Sequence, residues 1–222
     1  MFILKGMILY ILHVLICPTI RIVNKPQEDL EQVLEGGKNV VFSVWHESTA
    51  MCFFFYRYRN AGILVADNPN GKALGLMSRL LGYIPFPVMG KLNDRSSIKN
   101  TLAFLSHLKG GHDGTIAVDG PAGPYHKPKT GIFHIAHRSG NLILPIGVAY
   151  SHRIKSFWRW DKYQIPLPFC KCALVTQGPL PMPPEVNEEN IEELSKRLKQ
   201  AMDDVTAQAE QLVRKPKKHR KQ

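Results

Sequence analysis

The feature that most constrains this chain is the alternation of short apolar runs with segments of helical spacing. Asn39–Val44 (NVVFSV), Ile63–Ala66, Thr115–Val118, Leu142–Ala149 and Cys172–Gln177 are the apolar runs. Such near-continuous hydrophobicity marks strands buried on both faces of a sheet. Helical spacing runs through Glu47–Tyr58 and through Asn70–Leu81, which Gly82 can end. It returns in Ser96–Leu108, stopped by Gly110-Gly111, in Ile132–Arg138, ended by Gly140, and in the long polar Asn187–Arg214. A further short helix is expected at Pro26–Glu35, which has Pro and acids in its first turn and glycines behind it. Tyr83–Val88 holds two prolines and reads as an edge strand or an extended loop. The alternation predicts an α/β fold, a single-domain layered sheet flanked by helices. Three polar loops, at His46, near Arg95 and at Asp119, then fall at strand ends, where open α/β sheets build their sites.

With 222 residues, 44% of them hydrophobic, the chain suits one domain with a short appendage at each end. The amino end is strongly apolar: Met1–Ile16 (MFILKGMILYILHVLI) has Lys5 and His13 as its only basic side chains and no acidic residue. Sixteen residues fall short of the ~20 that span a bilayer, and Cys17-Pro18-Thr19 makes a poor signal-peptide cleavage site. The expectation is a membrane-associated helix lying in one leaflet, with Arg21 and Lys25 as interfacial anchors. A helix packed on the domain's own core is the alternative. The expected division is therefore 1–25 for the membrane-associated helix, 26–213 for the domain and 214–222 for a basic, disordered tail.

The formal net charge is +11, and the last nine residues hold six Lys or Arg with no acid. The body stays basic without them, which suits an anionic partner: a phospholipid headgroup, coenzyme A or an acidic carrier protein. Nucleic acid has charge alone in its favour, since no recognised nucleic-acid motif is present, and no specific nucleic acid is expected as partner. The four cysteines form no C-x-x-C pair and no zinc-finger spacing with His. A reduced compartment fits them best, and no metal site is expected.

Three places could carry chemistry. His46 follows an apolar strand directly and opens a helix; its ordinary pKa near 6.5 makes it a natural base at neutral pH, although a lone histidine of this kind is commonly structural. Asp119-Gly120-Pro121-Ala122-Gly123-Pro124 leads an acid into a turn whose glycines let backbone approach a ligand, with Tyr125, His126, Lys127 and Lys129 downstream. A rigid Gly/Pro turn with a local hydrogen bond at Asp119 is its plain alternative. Gly90–Ser97 (GKLNDRSS) sets cations and hydroxyls before a helix, a place that favours anions, or that simply caps the helix.

In combination and order, these pieces resemble the glycerolipid acyltransferase superfamily, and more closely its branch of lysophospholipid acyltransferase-like bacterial proteins. The matching segments are Trp45-His46, Arg95-Ser96-Ser97, Asp119 to Pro124, Gly131 with Ile135-Ala136, and Leu144-Pro145-Ile146-Gly147-Val148. Ser156-Phe157-Trp158-Arg159-Trp160-Asp161 and Ile165-Pro166-Leu167-Pro168-Phe169 match further on. The resemblance spans about Val40 to Pro179, and the Asp119–Pro124 piece is its most specific part.

The resemblance implies a glycerolipid acyltransferase-like fold. It also implies transfer of an acyl chain from acyl-CoA or acyl carrier protein, as co-substrate and without a cofactor, to a lysophospholipid, a glycolipid or another membrane lipid. His46 would be the catalytic base, Asp119 the acid that organises the acceptor site, and Arg95 the cation on the acceptor phosphate. Ser96, Gly120, Pro121, Gly123 and Lys127 complete the expected acceptor site. The implied place is the cytoplasmic face of the inner or cell membrane, held peripherally or monotopically.

The superfamily sets an acid five residues after its histidine, where this chain has Met51. That departure leaves the group that orients His46 open, with Asp119 as the candidate, and motivates the alternative of an inactive lipid-binding protein. The run Ala50–Tyr58 (AMCFFFYRY) could line an acyl tunnel or simply fill the core.

Overall fold

The computed structural model describes residues 1–25, 36–89 and 95–214. The helix expected over 26–35, loop residues 90–94 and the tail beyond Arg214 lie outside the described residues. The strands are β1 (Arg21–Asn24), β2 (Val40–Val44), β3 (Gly62–Ala66), β4 (Ile84–Val88), β5 (Gly114–Ala117), β6 (Leu142–Tyr150), β7 (Arg153–Lys155), β8 (Gln164–Pro166) and β9 (Lys171–Thr176). The helices are α1 (Phe2–Ile16), α2 (Thr49–Phe55), α3 (Pro69–Leu80), α4 (Arg95–Lys109), α5 (Gly131–Ser139) and α6 (Ile191–Val213).

Seven strands form one sheet in the order β1-β9-β6-β2-β5-β3-β4. From β6 to β4 every neighbour is parallel; β9 runs antiparallel to β6 and carries β1 parallel to itself at the edge. The fold is α/β, a mixed sheet with helices on both faces. Alternation along each strand divides the core. Val40, Phe42 and Val44 of β2, with Leu144, Ile146 and Val148 of β6, face α2, α3 and the inner side of α1. Val41 and Ile143 face the other layer, with Phe104 and Leu108 of α4, Ile132 and Phe133 of α5, and Leu194, Leu198 and Met202 of α6. All five residues of β2 are buried, the polar Ser43 among them.

β4, with Pro85 and Pro87, is the edge strand its prolines predict. β1 and the hairpin β7–β8 were not expected. Arg21–Asn24 is four residues long, and its strand state comes from pairing with β9, far along the chain. Those residues pair into the sheet, with Arg21 exposed on its edge strand. The helix expected over Glu47–Tyr58 is shorter: a 3₁₀ turn at His46–Ser48 precedes α2. Asn68 caps α3, its Oδ1 accepting the Gly71 N–H at 2.8 Å, with Pro69 in the first turn.

α1 packs on α3, and its buried positions are Gly6 and His13. Ile3, Leu4, Met7, Ile8, Ile11, Leu12 and Leu15 are exposed. The stretch Phe2–Thr19 is long and apolar enough to cross a membrane by length and composition.

α6 comes very close to the sheet at Gly147 in the middle of β6. A Cβ there would sit 2.2 Å from the Val205 carbonyl carbon and 2.3 Å from its oxygen, both backbone atoms of α6. Only the absence of a side chain lets α6 lie this low. Gly147→Ala is expected to lower stability by about 1–3 kcal/mol, the cost of overpacking a core that cannot give way. Urea unfolding followed by circular dichroism measures it, and an unchanged midpoint would mean the helix rides higher on the sheet.

Candidate active site

The site is built at the carboxyl ends of β2 and β5. These neighbours are in register, Val44 opposite Ala117, so the residues that follow each strand arrive side by side. Trp45 continues β2 in extended conformation, its ring buried and stacked on His126 with centroids 4.3 Å apart. His46 then turns into the 3₁₀ segment. Its backbone N–H donates to Asp119 Oδ1 at 2.9 Å. Asp119 is fully buried, and its Oδ2 has no hydrogen-bond partner among the described residues. Burial pushes the Asp119 carboxyl above its ordinary range, against the His46 N–H and the neighbouring histidines, which pull it down.

The imidazole itself is held elsewhere. His46 Nδ1 lies 2.8 Å from Asp161 Oδ2, in the loop between β7 and β8. Arg159 grips the same carboxylate with two donors, Nε to Oδ1 at 2.8 Å and Nη2 to Oδ2 at 2.7 Å, and the Tyr163 N–H adds a longer bond at 3.3 Å. The Asp161 side chain is fully shielded from solvent. Burial works against its charge, but the Arg159 hydrogen bonds and the charges of His46 and Arg159 outweigh it and hold the carboxyl below its ordinary range. An ionised Asp161 accepts, so Nδ1 is the protonated nitrogen and Nε2 carries the free lone pair of the neutral ring. Trp160 and Tyr163 flank the ring, with centroids 5.4 and 6.4 Å away.

The orienting acid, which the sequence leaves open, is Asp161 in the structure. Met51 is in the core and Asp119 binds the histidine's backbone, while Asp161, 115 residues from His46, meets the ring. The signal for Asp161 was present at the end of the segment Ser156–Asp161, but nothing in the chain's order says that this segment folds back over β2. Glu47 points away from the ring, as expected of an adjacent residue. It accepts from Tyr125 Oη at 2.9 Å and lies 3.1 Å from His126 Nε2, anchoring the loop after β5. Burial opposes its charge, and the bonds from His126, Gln164 and Tyr125 keep its carboxyl below the ordinary range.

His46 faces a cavity of about 790 Å³. Its course follows a split in the sheet. β3 and β5 pair only at Gly62–Gly114 and Ile63–Thr115, whereas β2 stays paired with β5 as far as Ala117 and β3 with β4 as far as Val88. Beyond Ile63 the two strands part, and Leu64–Ala66 and Ile116–Val118 become cavity wall. Leu9, Phe53 and Leu74 line it from one helical layer and Ile132 and Ile135 from the other. Of the run Ala50–Tyr58, Cys52 and Phe53 reach the cavity while Met51 is core.

The other expected residues divide. Gly120 and Pro121 line the cavity beside His46. Gly123 holds a left-handed turn (φ 72°) against the face of Trp160, where a Cβ would come within 2.7 Å of the ring; it positions the wall without forming it. Arg95 and Ser96 open α4 as exposed residues, and neither is on the cavity wall. Lys127 is exposed and also off the wall, because the loop turns its neighbour His126 in toward Glu47. Among the described residues, the Lys and Arg side chains that do line the cavity are Lys5, Lys129 and Arg159. Sequence spacing does not separate Lys127 from Lys129; the course of the loop does.

No family model matches the chain. An uncharacterised protein of Rickettsia prowazekii (strain Madrid E) is 29% identical over 170 residues, covering 74% of this chain and 75% of that protein. Among solved structures, the 1-acyl-sn-glycerophosphate (LPA) acyltransferase PlsC of Thermotoga maritima matches with a TM-score of 0.54 at 15% identity, over 85% of this chain and 73% of that one. The likeness is one of fold: this chain has the α/β architecture of that acyltransferase.

Asp119 should behave as a buried backbone anchor. Asp119→Ala leaves the His46 N–H without an acceptor and is expected to cost about 1–3 kcal/mol. Asp119→Asn keeps an acceptor and is expected to be much milder. Because the folded-state pKa of Asp119 is raised, its contribution is most favourable below the unfolded-state value of about 3.9 and is lost as pH rises through the folded value. The balance between wild type and Asp119→Asn should therefore shift toward Asn between about pH 4 and neutrality. Thermal unfolding across that range tests this; a gap that does not move with pH would mean Asp119 is not held against its charge.

Proposed function

We propose that the chain is an acyltransferase that moves a fatty acyl chain from a thioester donor to a lysophospholipid, glycolipid or similar amphipathic acceptor, with His46 as general base. The observation that carries this reading is the His46–Asp161 pair, 2.8 Å apart, at the wall of a largely apolar cavity of about 790 Å³. That volume falls in the ~300–1,000 Å³ range of pockets that enclose small-molecule ligands. Burial of each methylene of an acyl chain there is worth about 0.8 kcal/mol.

In this reading Nε2 of His46 takes the proton of the acceptor hydroxyl or amine as that group attacks the thioester carbonyl. Asp161 stabilises the imidazolium that forms and keeps Nε2 aimed at the acceptor. Collapse of the tetrahedral adduct breaks the carbon–sulfur bond, and the imidazolium returns the proton to the departing thiolate. No acyl-enzyme is needed. Lys129 and Arg159, on the wall near His46, suit the phosphate of acceptor or donor. Acyl-CoA and acyl carrier protein both present an anionic thioester donor to this basic chain. We place the protein at the cytoplasmic face of a membrane, with the exposed apolar side of α1 in the lipid interface. The inactive lipid-binding alternative draws on Met51; the Asp161 carboxylate on the imidazole supports the active reading.

The test supplies long-chain acyl-CoA or acyl carrier protein and a mixed lipid extract to the purified protein in detergent, with products read by mass spectrometry. His46→Ala is expected to lower turnover by about 10²–10⁴-fold, the usual contribution of a general base, with an unchanged melting curve. Asp161→Asn should lower kcat by about 10⁴-fold or less, the loss seen when the orienting acid of a histidine is neutralised, with KM little changed. Full turnover in His46→Ala would remove the mechanism. A folded wild type that consumes neither donor with any acceptor would remove the activity.

A further inference from the structure

Three large aromatic side chains are more exposed than any other aromatic among the described residues: Trp158 at 82%, Phe169 at 81% and Phe157 at 76%. All three sit on the segment 153–169, which folds into the hairpin that carries Asp161. Ile154, Ile165 and Leu167 of the same segment are exposed as well. Phe169 also holds a left-handed backbone (φ 61°), which a bulky side chain rarely adopts unless its surroundings demand it. Water rewards neither the conformation nor the exposure.

Two further observations say what covers these side chains. The first is charge. Between Ser151 and Lys171 the only carboxylate is Asp161, which is buried against Arg159. The exposed ionisable residues among the aromatics include Arg159 and Lys162, so the surface is apolar with a cationic collar. The second is continuity. The Phe169 N–H donates to Thr19 Oγ1 at 3.2 Å, just past the end of α1. Ile165 and Pro166 share a small cavity with Leu9, Leu12 and Ile16 of α1. Trp158 and Leu9 both line the larger cavity that holds His46. The hairpin aromatics thus extend the exposed apolar side of α1 around the mouth of that cavity.

We propose that the segment 153–169 is a second bilayer-contacting element, which inserts Phe157, Trp158 and Phe169 into the interface of an anionic membrane beside α1. Aromatic rings with polar edges favour the headgroup boundary, and the cationic collar favours anionic lipid. In that position the mouth of the cavity rests on lipid, and the loop that holds the carboxylate on His46 is itself seated in the membrane. The inference rests on the acyltransferase reading for its purpose, not for its test.

The experiment binds the full-length protein to vesicles of phosphatidylcholine with phosphatidylglycerol, some carrying brominated acyl chains. Trp45 is buried and Trp160 half-buried, so bromolipid quenching should fall mainly on Trp158 and disappear in Trp158→Leu. The double variant Phe157→Ser/Phe169→Ser, at two solvent-exposed positions with α1 intact, should bind vesicles about tenfold more weakly or worse, keep its melting temperature, and lose less affinity than wild type when salt is raised if its collar no longer reaches the headgroups. Vesicle-bound wild type with unquenched Trp158, or a double variant that binds as tightly as wild type, would overturn the proposal. A concentration-dependent dimer that the double variant abolishes, with vesicle binding unchanged, would overturn it in favour of a second copy of this chain. Turnover is read separately. Quenched Trp158 on an inactive protein leaves the surface standing and removes the acyl-transfer reading; unquenched Trp158 on an active one does the reverse.

Discussion

The parallel pairing of β2 with β5 is the constraint on which the rest of the site depends. Its register puts the residues after Val44 and after Ala117 at the same height on the sheet. One bond, from the His46 N–H to Asp119, then ties the two strand ends together. Because Asp119 is spent on the backbone, the imidazole needs a second carboxylate, and Asp161 brings it from a hairpin outside the sheet. The site thus uses two buried acids with opposite electrostatic character. One has an unpartnered oxygen and is pushed toward its neutral form; the other is saturated by Arg159 and held ionised. Of the two, Asp161 is the one whose carboxylate meets the imidazole.

The same sheet makes the cavity by failing to continue. β3 stays with β4 along its whole length, and β5 stays with β2, so the sheet opens between β3 and β5 rather than fraying at an edge. A cavity in that opening draws its walls from both helical layers. It is also bounded by α1, whose outer side is apolar and exposed. The α1 helix that bounds the cavity thus also presents apolar surface to the outside.

Much of the fold was legible in the chain. The runs at Val40–Val44, Gly62–Ala66, Gly114–Ala117 and Leu142–Tyr150 are strands within a residue or two of where hydrophobicity alone places them. Their apolar, β-branched-rich composition is a local property. The helices after β3 and β4 and the helix ended by Gly140 were equally plain, because caps and stop residues act within one turn. β1 and the β7–β8 hairpin were not legible, since each is too short to declare itself and owes its state to a partner strand. Among the expected site residues, His46, Gly120 and Pro121 stand at the cavity, while Arg95, Ser96 and Lys127 stand off its wall.

The sequence by itself determined the α/β layering, the place of His46 at a strand end and the rigid acid-Gly-Pro turn beside it. These follow from periodicity, from the intolerance of buried strands for polar groups and from the backbone demands of Gly and Pro, all of them short-range. Tertiary structure alone decided which carboxylate meets the imidazole, which lysine turns toward the cavity and where the sheet splits. Each of those is a relation between segments far apart in the chain, set by register and by the path of a loop, and a side chain carries no mark of the partner that folding will bring to it.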